Sequence, residues 1–316
     1  MSLRLVDKYR PKTWGEIIGQ DKIVKSVKAI VDRKASYPNF LFVGPPGCGK
    51  TVLAEVFANE GKFERKEFNA SDDRTLVFMR ETIKKIAQFS GQRVIILDEA
   101  DNMIPAAQMA LKRIMETSSA IFILCANDEW KIDDAIKSRC AVFRFPRITD
   151  DALGKRLVEI INLEGYKIVN NPTVSAGLLA LVIDSRGDMR TALNSLETVV
   201  DSTGSITPDS VLLGLGATGL PVIAIMKALE GDFQSGKEYI EKMYVEGNYN
   251  PRTALKQLYD ALPTLNINTE MKIRMFDKLG EVDRGIQMGG DPVIQIVAYL
   301  AFIWLLPHAS GCPLIK

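Results

Sequence analysis

Five stretches or positions in this chain have the residue types and spacing that phosphate chemistry needs. Gly44-Pro45-Pro46-Gly47-Cys48-Gly49-Lys50-Thr51 fits the pattern G-x-x-x-x-G-K-[ST], with Val52 following it. Its glycines let backbone N–H groups turn toward phosphate oxygens, and a helix starting at Lys50 adds positive potential. Lys50 then reaches the β and γ phosphates of ATP, and the Thr51 hydroxyl becomes a ligand for Mg²⁺. The apolar run Val94-Ile95-Ile96-Leu97 ends in Asp98-Glu99-Ala100-Asp101, placing Asp98 in a Mg²⁺ shell and Glu99 as the base that polarises an attacking water. Asp101 either belongs to that carboxylate set or caps the next helix. Asn127 ends a further apolar run, where its amide can orient the water. Arg139, in Ser138-Arg139-Cys140, cannot easily fold back on its own phosphate loop, so the spacing predicts a guanidinium donated to a neighbouring subunit's phosphoryl transition state. Arg190, in Gly187-Asp188-Met189-Arg190, opens a later helix, where it either closes onto the γ phosphate or makes a surface ion pair.

These residues need a sheet to hold them. Short apolar runs at 39–43, 63–68, 94–97, 121–126 and 140–145 read as strands, separated by helical patterns such as 76–89 and 106–115. Alternating strands and helices imply an α/β fold with a largely parallel sheet covered on both faces. After Pro146 the strand signal fades and the rest reads as all helix: 152–164, 172–185 and 188–203 with Asp188 as N-cap, then helices near 221–230, 233–247, 251–262, 267–283 and 291–305. Turn-rich residues 202–208 and glycines at 214, 216 and 219 suggest a second boundary. The expected domains are therefore a nucleotide-binding α/β domain over 1–148, a small helical lid over 149–212 and a helical collar over 213–316.

Composition narrows the partners without choosing them. Hydrophobic residues at 47% and charged ones at 25% fit a globular protein rather than a disordered or fibrous one. The 40 Lys and Arg nearly balance 39 Asp and Glu, so any nucleic-acid contact must come from a local basic face. The four cysteines have no zinc spacing and are too scattered for a disulfide framework. Without an apolar leader or a stretch long enough to span a bilayer, the expected location is the cytosol, or the nucleus in a eukaryotic cell, with no membrane partner.

The phosphate motifs sit among others in a fixed order. Asp7-Lys8-Tyr9-Arg10-Pro11-Lys12-Thr13-Trp14-Gly15-Glu16-Ile17-Ile18-Gly19-Gln20 comes first, Phe68-Asn69-Ala70-Ser71-Asp72-Asp73-Arg74 follows the phosphate loop, and Ala110-Leu111-Lys112-Arg113-Ile114-Met115-Glu116 follows the carboxylates. With Ser138-Arg139-Cys140 and Gly187-Asp188-Met189-Arg190, this set resembles the small subunits of replication factor C, the AAA+ sliding-clamp loader of archaea and eukaryotes, over residues 7–197. The resemblance implies that Tyr9, Arg10, Pro11 and Ile18 line the adenine pocket. It also implies that Lys50, Thr51, Asp98, Glu99, Asn127 and Arg190 serve the same subunit's ATP, while Arg139 serves the next subunit's. Its implied partners are other small and large subunits in a five-subunit spiral, the sliding clamp and primer–template DNA, with 213 onward as the oligomerising collar. Thr75 stands where the family usually has Gly, the segment 116–120 is shorter than usual, and the ending 304–316, with the only histidine, His308, is unlike the family's.

Two faces remain open at this point. Arg80 and Lys84 are four apart and share a helix face, as do Gln108 and Lys112. Such pairs are either solvated charges or, by the resemblance, contacts that track the template strand. Ile83, Ile86 and Ala87 are either core or a small clamp-binding patch. A branch-migration helicase and a nucleotide-binding subunit without turnover are the rival functions; the intact Glu99, Asn127, Arg139 and Arg190 argue against the second.

Overall fold

In the computed structural model the described residues are 3–33, 37–71, 76–88, 93–200, 203–215, 219–245, 250–265 and 267–306, without the side chains of Leu76, Arg80 and Pro172. Asp72, Asp73, Arg74, Thr75, His308 and the rest of the tail lie outside them. The chain gathers into two compact units, one of residues 7–152 and one of the first six residues with 153 onward.

The first unit is built on five parallel strands in the order β2-β3-β4-β1-β5: β1 Asn39–Val43, β2 Glu64–Asn69, β3 Arg93–Asp98, β4 Ile121–Ala126 and β5 Cys140–Arg144. Side chains alternate between the faces of each strand, so Phe40 and Phe42 turn one way and Leu41 and Val43 the other. The first face packs on helices α1 (Asp21–Asp32) and α2 (Lys50–Glu60) through Val27, Leu53, Val56 and Phe57. The second packs on α3 (residues 76–88) and α4 (Pro105–Thr117) through Met79, Ile83, Leu111 and Ile114. Two covered faces explain why the central strands are apolar throughout; truncating fully buried Phe122 to Ala costs about 3–5 kcal/mol.

Helix α3 starts at Leu76–Phe78, widens into a π-turn over Met79–Ile83 and closes as Lys84–Gln88. Helix α4 is Pro105–Thr117, with proline in its first turn, and the single turn α5 is Asp134–Lys137. The registers Asn69↔Asp98 and Val43↔Ala126 bring the strand ends that carry the candidate residues to one edge of the sheet.

The second unit comprises α6 (Asp150–Glu164, from Leu153), α7 (Pro172–Ser185), α8 (Met189–Val199), α9 (Pro208–Leu215), α10 (Leu220–Leu229), α11 (Phe233–Val245), α12 (Pro251–Ala261), α13 (Thr269–Gln287) and α14 (Pro292–Leu305). Helix α10 is buried almost all round and packs on α7, α11, α12 and α14. This part is not helix alone: β6 (Lys167–Ile168) and β7 (Ser205–Ile206) make a short parallel pair. Helix α9 also falls where the sequence read as turn and boundary. Thr207 and Ser210 cap it reciprocally, each backbone N–H reaching the other's hydroxyl at 2.9 and 3.1 Å. Gly214 permits close packing, since a Cβ there would sit 2.8 Å from the Thr198 carbonyl and from Val199 Cα. Among the described residues no helix is long and apolar enough to cross a membrane.

Candidate nucleotide site

Between β1 and α2 the loop turns on Gly49, whose φ of +100° suits glycine. Lys50 is 7% exposed, and its ammonium donates to the Gly44 and Pro45 carbonyls, each at 2.8 Å, and to Asn127 Oδ1 at 2.9 Å. The Thr51 hydroxyl donates to Asp98 Oδ2 at 2.8 Å. Lys50, Thr51, Asp98 and Asn127, from three elements, thus meet at one point. Asn127 is placed from behind, its backbone N–H donating at 3.1 Å to buried Asp101, so Asp101 props the strand end.

Glu99 has a left-handed backbone, φ 51° and ψ 38°, uncommon for a residue with a side chain and concentrated at functional sites. Its N–H donates to Asp98 Oδ1 at 2.9 Å, while Ser71 Oγ and Asn102 Nδ2 both contact Glu99 Oε2, the amide at 3.1 Å. Neither Ser71 nor Asn102 carried a role in the sequence reading. Only the position of Ser71 beside Asn69, at the end of a strand next to β3, signalled it.

The N-terminal arm is stitched to the same loop. Ile17 is buried in one cluster with Cys48, and the buried Gln20 amide donates to Cys48 O at 3.2 Å and Pro146 O at 2.9 Å. Tyr9, Pro11 and Ile18 are half-buried along this arm. Arg10, expected beside the adenine, is held by helix α2. Its guanidinium grips Glu55 of α2 through two bonds of 2.8 and 2.9 Å, and Arg65 adds a second cation 3.3 Å from the same carboxylate. Partial desolvation, and then the nearby Glu55 charge, hold the Glu67 carboxyl above the ordinary carboxylate range, although the side chain is still exposed on the outer strand. Burial also pushes the Cys140 thiol up to about 12 and Cys125 well above its usual value, which leaves both unreactive.

Arg139 lies apart from the Lys50 cluster in the contacts it makes. It donates to Glu116 Oε1 from Nε at 2.9 Å and also from Nη2, and from Nη1 to the Ala135 carbonyl at 2.6 Å and Ser138 Oγ at 3.2 Å. Arg190 belongs to the other unit, on the first turn of α8, whose N–H groups at 190 and 191 are capped by Asp188 at 2.8 and 3.0 Å.

The two outer faces need correction. Gln108 is 5% exposed; its amide donates to the Met103 and Lys131 carbonyls at 3.2 and 2.9 Å and accepts from Asp133 N–H at 2.8 Å. It is an internal brace, because polar residues at helical spacing need not share the solvent side. Ile83 and Ala87 are core residues packed with Leu111 and Ile114, leaving only Ile86 partly accessible. Lys84 is exposed and Lys112 half-exposed, and neither has an ion pair among the described residues, whereas adjacent Lys85 pairs with Glu81 at 3.0 Å.

The parallel sheet, the phosphate loop and the paired Asp98 and Glu99 define an ATPase of the AAA class. The profile of the ATPase family associated with various cellular activities matches residues 40–147, and that of the replication factor C C-terminal domain matches 222–301. The chain is 37% identical to a replication factor C small subunit of Archaeoglobus fulgidus, with 94% of this chain and 96% of the relative covered. It is 36% identical to one of Staphylothermus marinus, with 93% and 92% covered. A solved RuvB Holliday junction branch migration motor of Thermotoga maritima shares the fold, at a TM-score of 0.57 and 20% identity over 79% of this chain and 85% of that one. The chain belongs to the replication factor C small-subunit family. The clamp-loader role in DNA replication implied by the motifs goes with that family.

Proposed function

We propose that this chain hydrolyses ATP with Mg²⁺ at subunit interfaces of a five-subunit assembly, and that this cycle opens a sliding clamp and closes it on primer–template DNA. The observation that carries the site is the Thr51 hydroxyl 2.8 Å from the Asp98 carboxylate, two oxygen donors suited to a hard cation. Among the described residues no cluster of three or more His, Cys, Asp or Glu can hold a metal alone, which fits Mg²⁺ bound by one or two side chains, water and phosphates. When bound, Mg²⁺ supplies charge neutralisation between the phosphates.

The chain's own groups do the rest. Lys50 faces the β and γ phosphates, with Gly44, Pro45, Pro46, Gly47, Cys48, Gly49 and Val52 forming the cradle. Glu99 takes the proton of the attacking water; Ser71 and Asn102 occupy Oε2, which leaves Oε1 for it. Asn127 orients that water, Arg190 reads the γ phosphate from the lid, and Arg139 serves the adjoining subunit. Tyr9, Arg10, Pro11 and Ile18 border the adenine. Lys84 and Lys112, with Arg80, track a DNA backbone, and Ile86 offers a small clamp contact. The proposed division of labour is a nucleotide-binding domain over 1–148, a lid over 149–212 and a collar over 213–316.

The test is ATP hydrolysis by the assembled complex with and without clamp and primed DNA. Stimulation that needs both supports clamp loading. Hydrolysis driven by branched DNA and indifferent to the clamp would instead favour a branch-migration motor.

A further inference from the structure

We infer that Glu116 is a positioning residue for Arg139, holding the guanidinium in the pose from which it meets a neighbouring subunit's nucleotide. This rests on the reading of Arg139 as a group acting in trans. Glu116 stands at the C-terminal end of α4 and Arg139 just after α5, so the contact spans two elements and 23 residues of sequence. One carboxylate oxygen, Glu116 Oε1, takes both Nε–H and an Nη2–H, while Nη1 is fixed by the Ala135 carbonyl and Ser138 Oγ. An arginine side chain has large rotamer freedom to lose. Anchors on both sides of its guanidinium remove most of that freedom before any phosphate arrives, so less is lost when the transition state forms.

Of the five N–H groups, one on Nη2 remains without a partner among the described residues, on the edge turned away from Nε. Glu116 thus holds the inner edge and leaves part of the outer edge for a phosphate oxygen. The pair is partly exposed, with side chains 32% and 42% accessible, which makes it a weak contributor to stability. Loss of Glu116 therefore reads out in catalysis rather than in folding.

The experiment uses assembled complexes in which the finger-donating subunit carries Glu116→Ala, Glu116→Gln, Arg139→Ala or Arg139→Ala with Glu116→Ala, and measures ATP turnover, ATP affinity and thermal melting. Glu116→Ala is expected to lower turnover at the adjoining site about tenfold, an amount within the reach of geometric preorganisation, with ATP affinity and melting unchanged. Glu116→Gln keeps an oxygen acceptor and is expected to recover most of that loss. In the Arg139→Ala background Glu116→Ala should do nothing further, since it acts only through the guanidinium. If Arg139→Ala cripples the neighbour while Glu116→Ala leaves turnover unchanged or raises it, the positioning role is wrong and the trans reading stands. If Arg139→Ala itself leaves turnover intact, the trans reading fails first. An equal loss from Glu116→Ala with and without Arg139 also overturns the proposal.

Discussion

The phosphate edge of the sheet and the lysines proposed to face DNA on α3 and α4 are built differently. At the edge, every group implicated in ATP chemistry is already held by protein: Lys50 by two carbonyls and Asn127, Thr51 by Asp98, Glu99 by Ser71 and Asn102. On the face, Lys84 and Lys112 have no ion-pair partner among the described residues. The difference follows from the task. Transition-state stabilisation requires charges fixed in advance, whereas a phosphate backbone can be followed by mobile cations that release counterions without reading bases.

The comparison breaks most visibly at the edge. Arg139→Ala should cut hydrolysis in the adjoining subunit by roughly a thousandfold while this chain's own ATP affinity holds. Mixing Arg139→Ala with Lys50→Ala subunits, each inactive alone, should restore some activity; mixed assemblies that stay inactive would refute action in trans. Glu99→Gln should slow turnover by about a hundredfold or more with ATP binding retained. Single-turnover hydrolysis against nucleotide titration separates the two.

On the face, neutralising Lys84 and Lys112 together should weaken primed-DNA affinity evenly across sequences and lower the slope of log affinity on log salt by about two. An unchanged slope would make them solvated charges. The smallest effect concerns Glu67. Its carboxyl has a folded pKa raised above the unfolded value by partial desolvation, then by Glu55. Its contribution is therefore full below the ordinary carboxylate range and lost as pH rises through the raised value. Melting should accordingly decline slightly over that window in the wild type and stay flatter in Glu67→Gln. Parallel curves would remove Glu67 as the source.

The same contrast explains what the sequence made legible. Residues 44–51 and 94–101 are contiguous, and their chemistry follows from local geometry, so the strand, loop and helix could be placed directly. The grips of Arg10 on Glu55, Glu116 on Arg139 and Ser71 on Glu99 join residues 45, 23 and 28 positions apart. Periodicity gives no sign of such pairs. Gln108 is buried despite its four-residue spacing to Lys112, which fixes a helix side but not which part of it faces solvent. Helix α9 is hard to read from sequence because Thr207, Pro208 and Gly214 are also turn residues, although Thr207-Pro208-Asp209-Ser210 is equally a helix start.

The left-handed backbone of Glu99 sets a filter on the mutational history of this position that is separate from its acid–base role. Substitutions to glycine or asparagine suit φ 51°, whereas valine or isoleucine would add steric strain to the loss of the carboxylate. Drift at residue 99 in a lineage released from catalysis would therefore be channelled toward a few side chains rather than spread over all of them. A subunit that has lost turnover can keep the local chain path, and with it the neighbouring Asp98, long after its base is gone.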